Sequence, residues 1–250
     1  MNDPLRYETV YFFGTCLIDA FYPQAGLAAI RLLQRHGLKV VFPQRQTCCG
    51  QPAYNSGFFD EARAVALRQV RSFPKDYPVV VPSGSCAGMM KYHYPELFAG
   101  RPELDSVRNF SGRVVEFSRF LAELPGLRLQ DRGAALKVTW HSSCHALREM
   151  KVIGYAKSLI RRLDNVELVE LQRESECCGF GGTFAVKQPQ ISAAMVTDKV
   201  DDILDTGAAV VLGIDCGCLM NIAGAMEKRR LPVSCMHLAQ FIWERTHETN

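Results

Sequence analysis

Apolar and polar positions along the chain follow two periods. Short apolar runs read as buried strands: Val10-Tyr11-Phe12-Phe13, Lys39-Val40-Val41-Phe42, Val79-Val80-Val81, Lys137-Val138-Thr139-Trp140, residues 166–171, and Ala209-Val210-Val211-Leu212. Between them lie stretches of helical spacing. In residues 23–36, Pro23 suits a first turn, Leu27, Ile30, Leu33 and Gln34 keep the helical step, and Gly37 ends the run. Residues 59–73, roughly 150–163, 190–205 and 237–245 read the same way, and Gly207 closes the fourth of these five. Residues 114–124 read as a short strand or turn and then a helix, and the stretch from Pro232 to Cys235 mirrors their start.

Strands alternating with helices predict βαβ units with parallel pairing and right-handed crossovers. The order runs through twice. The expected fold is therefore α/β, with two pseudo-symmetric halves, each a small mainly parallel sheet flanked by helices. The halves are residues 1–124 and 136–250, and the Pro- and Gly-containing stretch 125–135 is the linker. A length of 250 residues accommodates two such domains.

The cysteines repeat with the strands. Cys16, Cys48-Cys49-Gly50 and Cys86 form one phrase; Cys144, Cys177-Cys178-Gly179 and Cys218 form the second. Cys16 to Cys48 is 32 residues and Cys144 to Cys177 is 33, so the copies are nearly in register. Each cysteine falls just after a predicted strand, and ligands of parallel sheets bind beyond the carboxyl ends of the strands. Four thiolates from distant stretches should thus meet at one edge of each sheet, where they can hold one zinc ion or one iron–sulfur cluster. Zinc knuckles generally use pairs of the Cys-x-x-Cys type, absent here, and an adjacent Cys-Cys pair splays its side chains as a cluster with several irons requires. Glycine at 50 and 179 allows positive φ and close backbone approach.

Composition sharpens this reading. The chain is 48% hydrophobic and 22% charged, as soluble globular proteins are. A net charge of +3 gives no argument for nucleic acid or a membrane surface. No run of eighteen apolar residues exists, and Gly14, Thr15 and Asp19 break the one near the start, so neither a transmembrane helix nor a signal peptide is expected. The expected compartment is the reducing cytoplasm, where ten cysteines are metal ligands or redox groups rather than disulfides.

Several other residues admit plain packing roles. Cys235 reads as core. Cys216 is ambiguous: a fifth thiolate, a redox partner of Cys218, or a bystander. His141 and His145 flank Cys144, and either could ligate, tune a centre or relay a proton. His36 and His93 read as ordinary helix residues, and Met89, Met90 and Met220 as core. Gly179-Phe180-Gly181-Gly182-Thr183 lacks the dinucleotide fingerprint and reads as close packing around the centre. No Ser-His-Asp or paired-carboxylate arrangement is present to read.

These motifs resemble a known family. Phe13-Gly14-Thr15-Cys16, the stretch from Thr47 to Gly57 around Cys48-Cys49-Gly50, Gly84-Ser85-Cys86, Cys177-Cys178-Gly179-Phe180-Gly181-Gly182-Thr183-Phe184 and Cys218-Leu219-Met220-Asn221-Ile222 are similar to the cysteine-rich CCG domain. That domain occurs in heterodisulfide reductase, in the iron–sulfur subunit of glycolate oxidase and in the lactate utilization protein A family. The last likeness covers essentially the whole chain. The resemblance implies an iron–sulfur electron-transfer subunit of a cytoplasmic L-lactate-oxidising system. It further implies two partner subunits, one a ferredoxin-type iron–sulfur protein, so that the chain is part of an oxidoreductase rather than a complete enzyme. Heterodisulfide reductase ends each cysteine phrase in Cys-x-x-Cys; here Cys86 is followed by Ala87, Gly88 and Met89, so a simpler cluster, of the 4Fe–4S kind, is expected. Zinc in one half is the other expectation carried by the resemblance. A structural zinc scaffold and a thiol–disulfide enzyme stay open as alternatives.

Overall fold

The computed structural model describes residues 7–247. The chain divides after Leu127 into two units. The first holds a four-stranded parallel sheet of β1 (Thr9–Phe12), β2 (Lys39–Val41), β3 (Val79–Val81) and β4 (Val114–Glu116), in the order β2-β1-β3-β4. The second repeats it with β5 (Leu136–Trp140), β6 (Val166–Val169), β7 (Val210–Gly213) and β8 (Ser234–His237), in the order β6-β5-β7-β8. The fold class is the one the periodicity predicts.

Central strands are buried on both faces, which is why they read as unbroken apolar runs: Val79, Val80 and Val81 are all inaccessible. In the first unit the core around the sheet is aromatic, with Phe12, Phe13, Phe73, Tyr94, Phe110 and Phe117 fully buried. In the second it is mostly aliphatic around Trp140. Chain direction across each sheet reverses between β1 and β3, and again between β5 and β7. Such a switch point leaves a crevice outside the strand ends.

Two helices and one strand refine expectations. In α2 (Pro23–Arg35) the buried stripe is Ala25, Ala28, Ala29, Leu32 and Leu33, while Leu27 is exposed. Small residues let this helix lie close to its neighbours, so the face is turned from the one the larger side chains mark. The helix expected from about residue 150 begins later, as α9 (Ile153–Ile160). A π-turn over Ala146–Met150 and a left-handed Lys151 (φ 54°) occupy the preceding residues. The strand expected over 166–171 ends at Val169. Three further helices position thiols: α1 (Cys16–Phe21), α5 (Gly84–Gly88) and α12 (Cys216–Lys228).

Candidate metal centres

Each unit places its thiols by the same local devices. Cys16 opens α1, directly after Thr15, whose hydroxyl accepts the N–H of Ile18 at 3.3 Å. Cys144 follows Ser143, whose hydroxyl accepts the N–H of Ala146 at 3.4 Å. A hydroxyl cap thus stops the strand and turns the cysteine over the sheet edge in both units. Thr15 does so at φ 33°, a conformation strained for a β-branched residue and costing about 1–3 kcal/mol.

The Cys-Cys-Gly turns are equally alike. Gly50 (φ 85°) and Gly179 (φ 80°) are left-handed. Each donates its N–H at 3.4 Å to the first sulfur of its pair, Cys48 or Cys177. A side chain anchors the carbonyl of the second cysteine: Tyr94 Oη donates to Cys49 O at 2.8 Å, and Asn221 Nδ2 to Cys178 O at 2.7 Å. The last thiols match as well. Ser83 caps α5 and Asp215 stands at the cap of α12; Cys86 and Cys218 are the third residues of those helices. Cys216, the first residue of α12, stands where α5 has Gly84, and it is buried.

The thiols meet. In the first unit side-chain hydrogen bonds run Cys16–Cys48–Cys49–Cys86. In the second they run Cys144–Cys177–Cys178–Cys218. Sulfurs this close cannot all ionise. Donation from Cys16 and then Cys49 draws Cys48 down to about 3. Donation from Cys144 and then Cys178 draws Cys177 down to about 2. Hydrogen bonding to those thiolates, with burial, pushes Cys16, Cys49, Cys144 and Cys178 up. A cation resolves this frustration, because thiol ligands bind metal as thiolates and release their protons on binding. The donor set is that of a soft metal or an iron–sulfur cluster. Cys235, on β8, lies outside this arrangement; it packs beside Met226, and burial raises it to about 12.

The second unit adds imidazole. His141, directly after β5, is 2% exposed, and neither ring nitrogen has a hydrogen-bond partner of good geometry. Its ligand atom and those of Cys178 and Cys218 lie within 4.8 Å of one another. Cys218 is lowered to about 7, first by the Cys178 thiol and then by His141, against the effect of burial. His145 Nδ1 is 3.3 Å from Cys144 Sγ, and its other nitrogen faces Glu149 at 3.8 Å. Asp215 is buried and accepts a hydrogen bond from Ser143.

The residues that brace the turns had no signal in the sequence. Gln69, fully buried on α4 (Phe59–Ser72), bonds Thr47 through both ends of its amide and donates to Cys48 O at 3.2 Å. In the second unit α11 (Pro189–Leu204) supplies Asp202, which accepts the N–H groups of Gln172 and Arg173 at 3.0 Å. Lys199 of the same helix donates to Arg173 O at 2.6 Å and lies 3.7 Å from Asp202.

Comparison with known proteins fits this geometry. The family model described as "Cysteine-rich domain" matches twice, over residues 10–91 and 138–223. "Lactate utilization protein A" of Geobacillus sp. (strain WCH70) is 42% identical over 239 residues, covering 94% of this chain and 99% of that protein. The protein of the same name from Geobacillus kaustophilus is 43% identical over 236 residues, covering 93% and 98%. Among solved structures, a hypothetical protein from Helicobacter pylori superposes with a TM-score of 0.72 at 10% identity, over 97% of this chain and 50% of that one, a likeness of fold alone. Among the described residues, no helix is long and apolar enough to cross a membrane.

Proposed function

The chain belongs to the lactate utilization protein A family and carries two cysteine-rich domains of the CCG family, and from that premise we propose that it is an iron–sulfur electron-transfer subunit of a cytoplasmic L-lactate-oxidising complex. One observation carries the reading: in each unit, four thiols from three distant stretches converge beyond the strand ends. Cys16, Cys48, Cys49 and Cys86 are the ligands in the first unit, and Cys144, Cys177, Cys178 and Cys218 in the second. An iron–sulfur cluster supplies one-electron transfer when bound. The chain's own groups orient the sulfurs and tune the centre. The N–H groups of Gly50 and Gly179 point at sulfur and stabilise its negative charge.

Lactate oxidation removes two electrons and two protons, one hydrogen leaving the hydroxyl-bearing carbon and the other its oxygen. The part assigned to this chain is the relay of those electrons. Two partner subunits complete the reaction, one of them a ferredoxin-type iron–sulfur protein. Exposed apolar side chains suit such contacts: Phe21 on α1, and Val186 on the short helix α10 (Thr183–Lys187) just past Cys177-Cys178-Gly179.

Anaerobic purification tests the reading. The protein should be brown, with iron and acid-labile sulfide, and a paramagnetic signal should appear on one-electron reduction. Lactate should reduce it only when both partners are present. Colourless protein with stoichiometric zinc in both units would replace the redox reading with a structural one.

A further inference from the structure

The two units differ at the residue three positions before the first cysteine. In the first unit it is Phe13, fully buried; in the second it is His141, equally buried. The residue after the cysteine differs in the same sense: Leu17 follows Cys16, and His145 follows Cys144. The imidazoles are not in the same situation. His145 has Cys144 against one nitrogen and Glu149 near the other, so it is engaged as an orienting group. Among the described residues, neither nitrogen of His141 has a hydrogen-bond partner of good geometry. Leaving a buried polar group unsatisfied costs about 1–3 kcal/mol. Its ring nevertheless reaches the two thiols Cys178 and Cys218, inside the span of a single coordination sphere.

We propose that His141 is a ligand of the second centre, on the same face as Cys178 and Cys218, and that the two centres are therefore chemically unlike. At the matching positions the first unit offers sulfur only. The second offers sulfur and one imidazole nitrogen. A metal bond satisfies one of these nitrogens, which otherwise have beside them only thiols that are themselves ligands. Charge agrees with this assignment. The second centre has the buried carboxylate of Asp215 where the first has the hydroxyl of Ser83. An added anion beside thiolates disfavours further negative ligands, and imidazole is a ligand that adds no negative charge to the site. The inference rests on metal binding in the second unit, but not on which metal the native protein holds.

Cobalt(II) tests this independently of the iron–sulfur reading. Metal-free full-length Cys49→Ser protein, its first centre disabled, is titrated with cobalt(II) alone and studied by pulsed electron paramagnetic resonance. The expected result is a directly coordinated nitrogen whose coupling changes on labelling histidine with 15N. His145→Leu should keep that coupling. His141→Phe, which copies the first unit, should abolish it and weaken cobalt binding about 10–100-fold or more, the range that even groups orienting a ligand command. The labelling measurement needs no change at position 141, so misfolding of that variant leaves the test intact. Absence of a histidine coupling, its survival in folded His141→Phe, or failure of the second unit to bind cobalt would each overturn the proposal.

Discussion

Seen from the strand end, Cys16 stands between Phe13 and Leu17, while Cys144 has His141 three residues before it and His145 directly after. The sheet order, the hydroxyl caps, the left-handed glycines and the third-residue helix cysteines are the same in both units. What differs is the surround. The first site has the Tyr94 hydroxyl on the carbonyl of Cys49, and its turn is held by a neutral amide, Gln69. The second has two imidazoles and a carboxylate near its thiols, and the backbone at residues 172–173, just ahead of its turn, is held by the buried pair Lys199 and Asp202. A repeated frame can thus gather sulfur in the same way while its lining sets what each sulfur cage accepts.

The largest effect should come from removing the central thiols one unit at a time. Cys49→Ser and Cys178→Ser should each abolish one centre and halve metal content, leaving the other spectrum intact. Metal analysis and spectroscopy on the pair of variants check this. Loss of both centres on either change would mean that the units are not independent, and the comparison between them would fail.

The braces should separate the units next. Asp202→Ala strips two backbone N–H partners and leaves the Lys199 ammonium buried without its carboxylate. Breaking a buried pair in this way costs roughly 3–5 kcal/mol. Gln69→Leu strands neutral groups only, for roughly 1–3 kcal/mol. Denaturant unfolding, followed through Trp140 and Trp243 for the second unit and by circular dichroism for the whole chain, should show the larger loss in Asp202→Ala. Equal losses would mean that the charged brace is no more critical than the neutral one.

These braces also mark where the sequence stops being informative. The eight cysteines are legible because they recur in register after apolar runs, and β3 is legible because three buried valines have no polar alternative. Gln69 and Asp202 look like surface residues of amphipathic helices; only the docking of α4 and α11 turns them inward. Helix α12 is hidden by Gly217 and Gly224, poor helix formers that tertiary packing overrides: Gly217 lies against the Phe180 ring, closer than any β-carbon would allow. The imidazole at His141 is visible as a residue near Cys144. Its burial and its reach to Cys178 and Cys218, more than thirty residues away, are not, because they depend on β5 lying beside β7.

The turn glycines give a finer contrast. Alanine at either position is strained by its positive φ, at about 1–2 kcal/mol. A methyl group at Gly50 meets the Val65 side chain at 3.3 Å, which need give by only a few tenths of an ångström. At Gly179 it meets the backbone oxygen of Ser192 at 2.7 Å, which cannot move without α11. Gly179→Ala should therefore cost about 3 kcal/mol and loosen metal in the second unit, against about 1–2 kcal/mol for Gly50→Ala. Thermal unfolding of both variants, with metal retention under a chelator, checks the order. The reverse order would place the tighter turn in the first unit.

The smallest effect lies away from the metal. Asp131 accepts hydrogen bonds from Arg245 and from the N–H groups of Asn165 and Gly133, tying the start of the second unit to its last helix, α13 (Leu238–Thr246). Burial alone would raise this carboxyl, but Arg245 and the two N–H groups outweigh it and hold it below the usual carboxylate range. A depressed folded-state value means stability that is present above the unfolded value, near 4, and lost as pH falls through the folded one. The second unit should therefore lose a modest part of its stability below about pH 4, and Asp131→Asn should remove that part at neutral pH and flatten the acid limb. Asp131 and its partners all belong to the second unit, so unfolding of the first should be unchanged by the substitution. Unfolding of wild type and Asp131→Asn between about pH 3 and 7 measures the difference, and an acid limb equally steep in the variant would exclude Asp131 as its source.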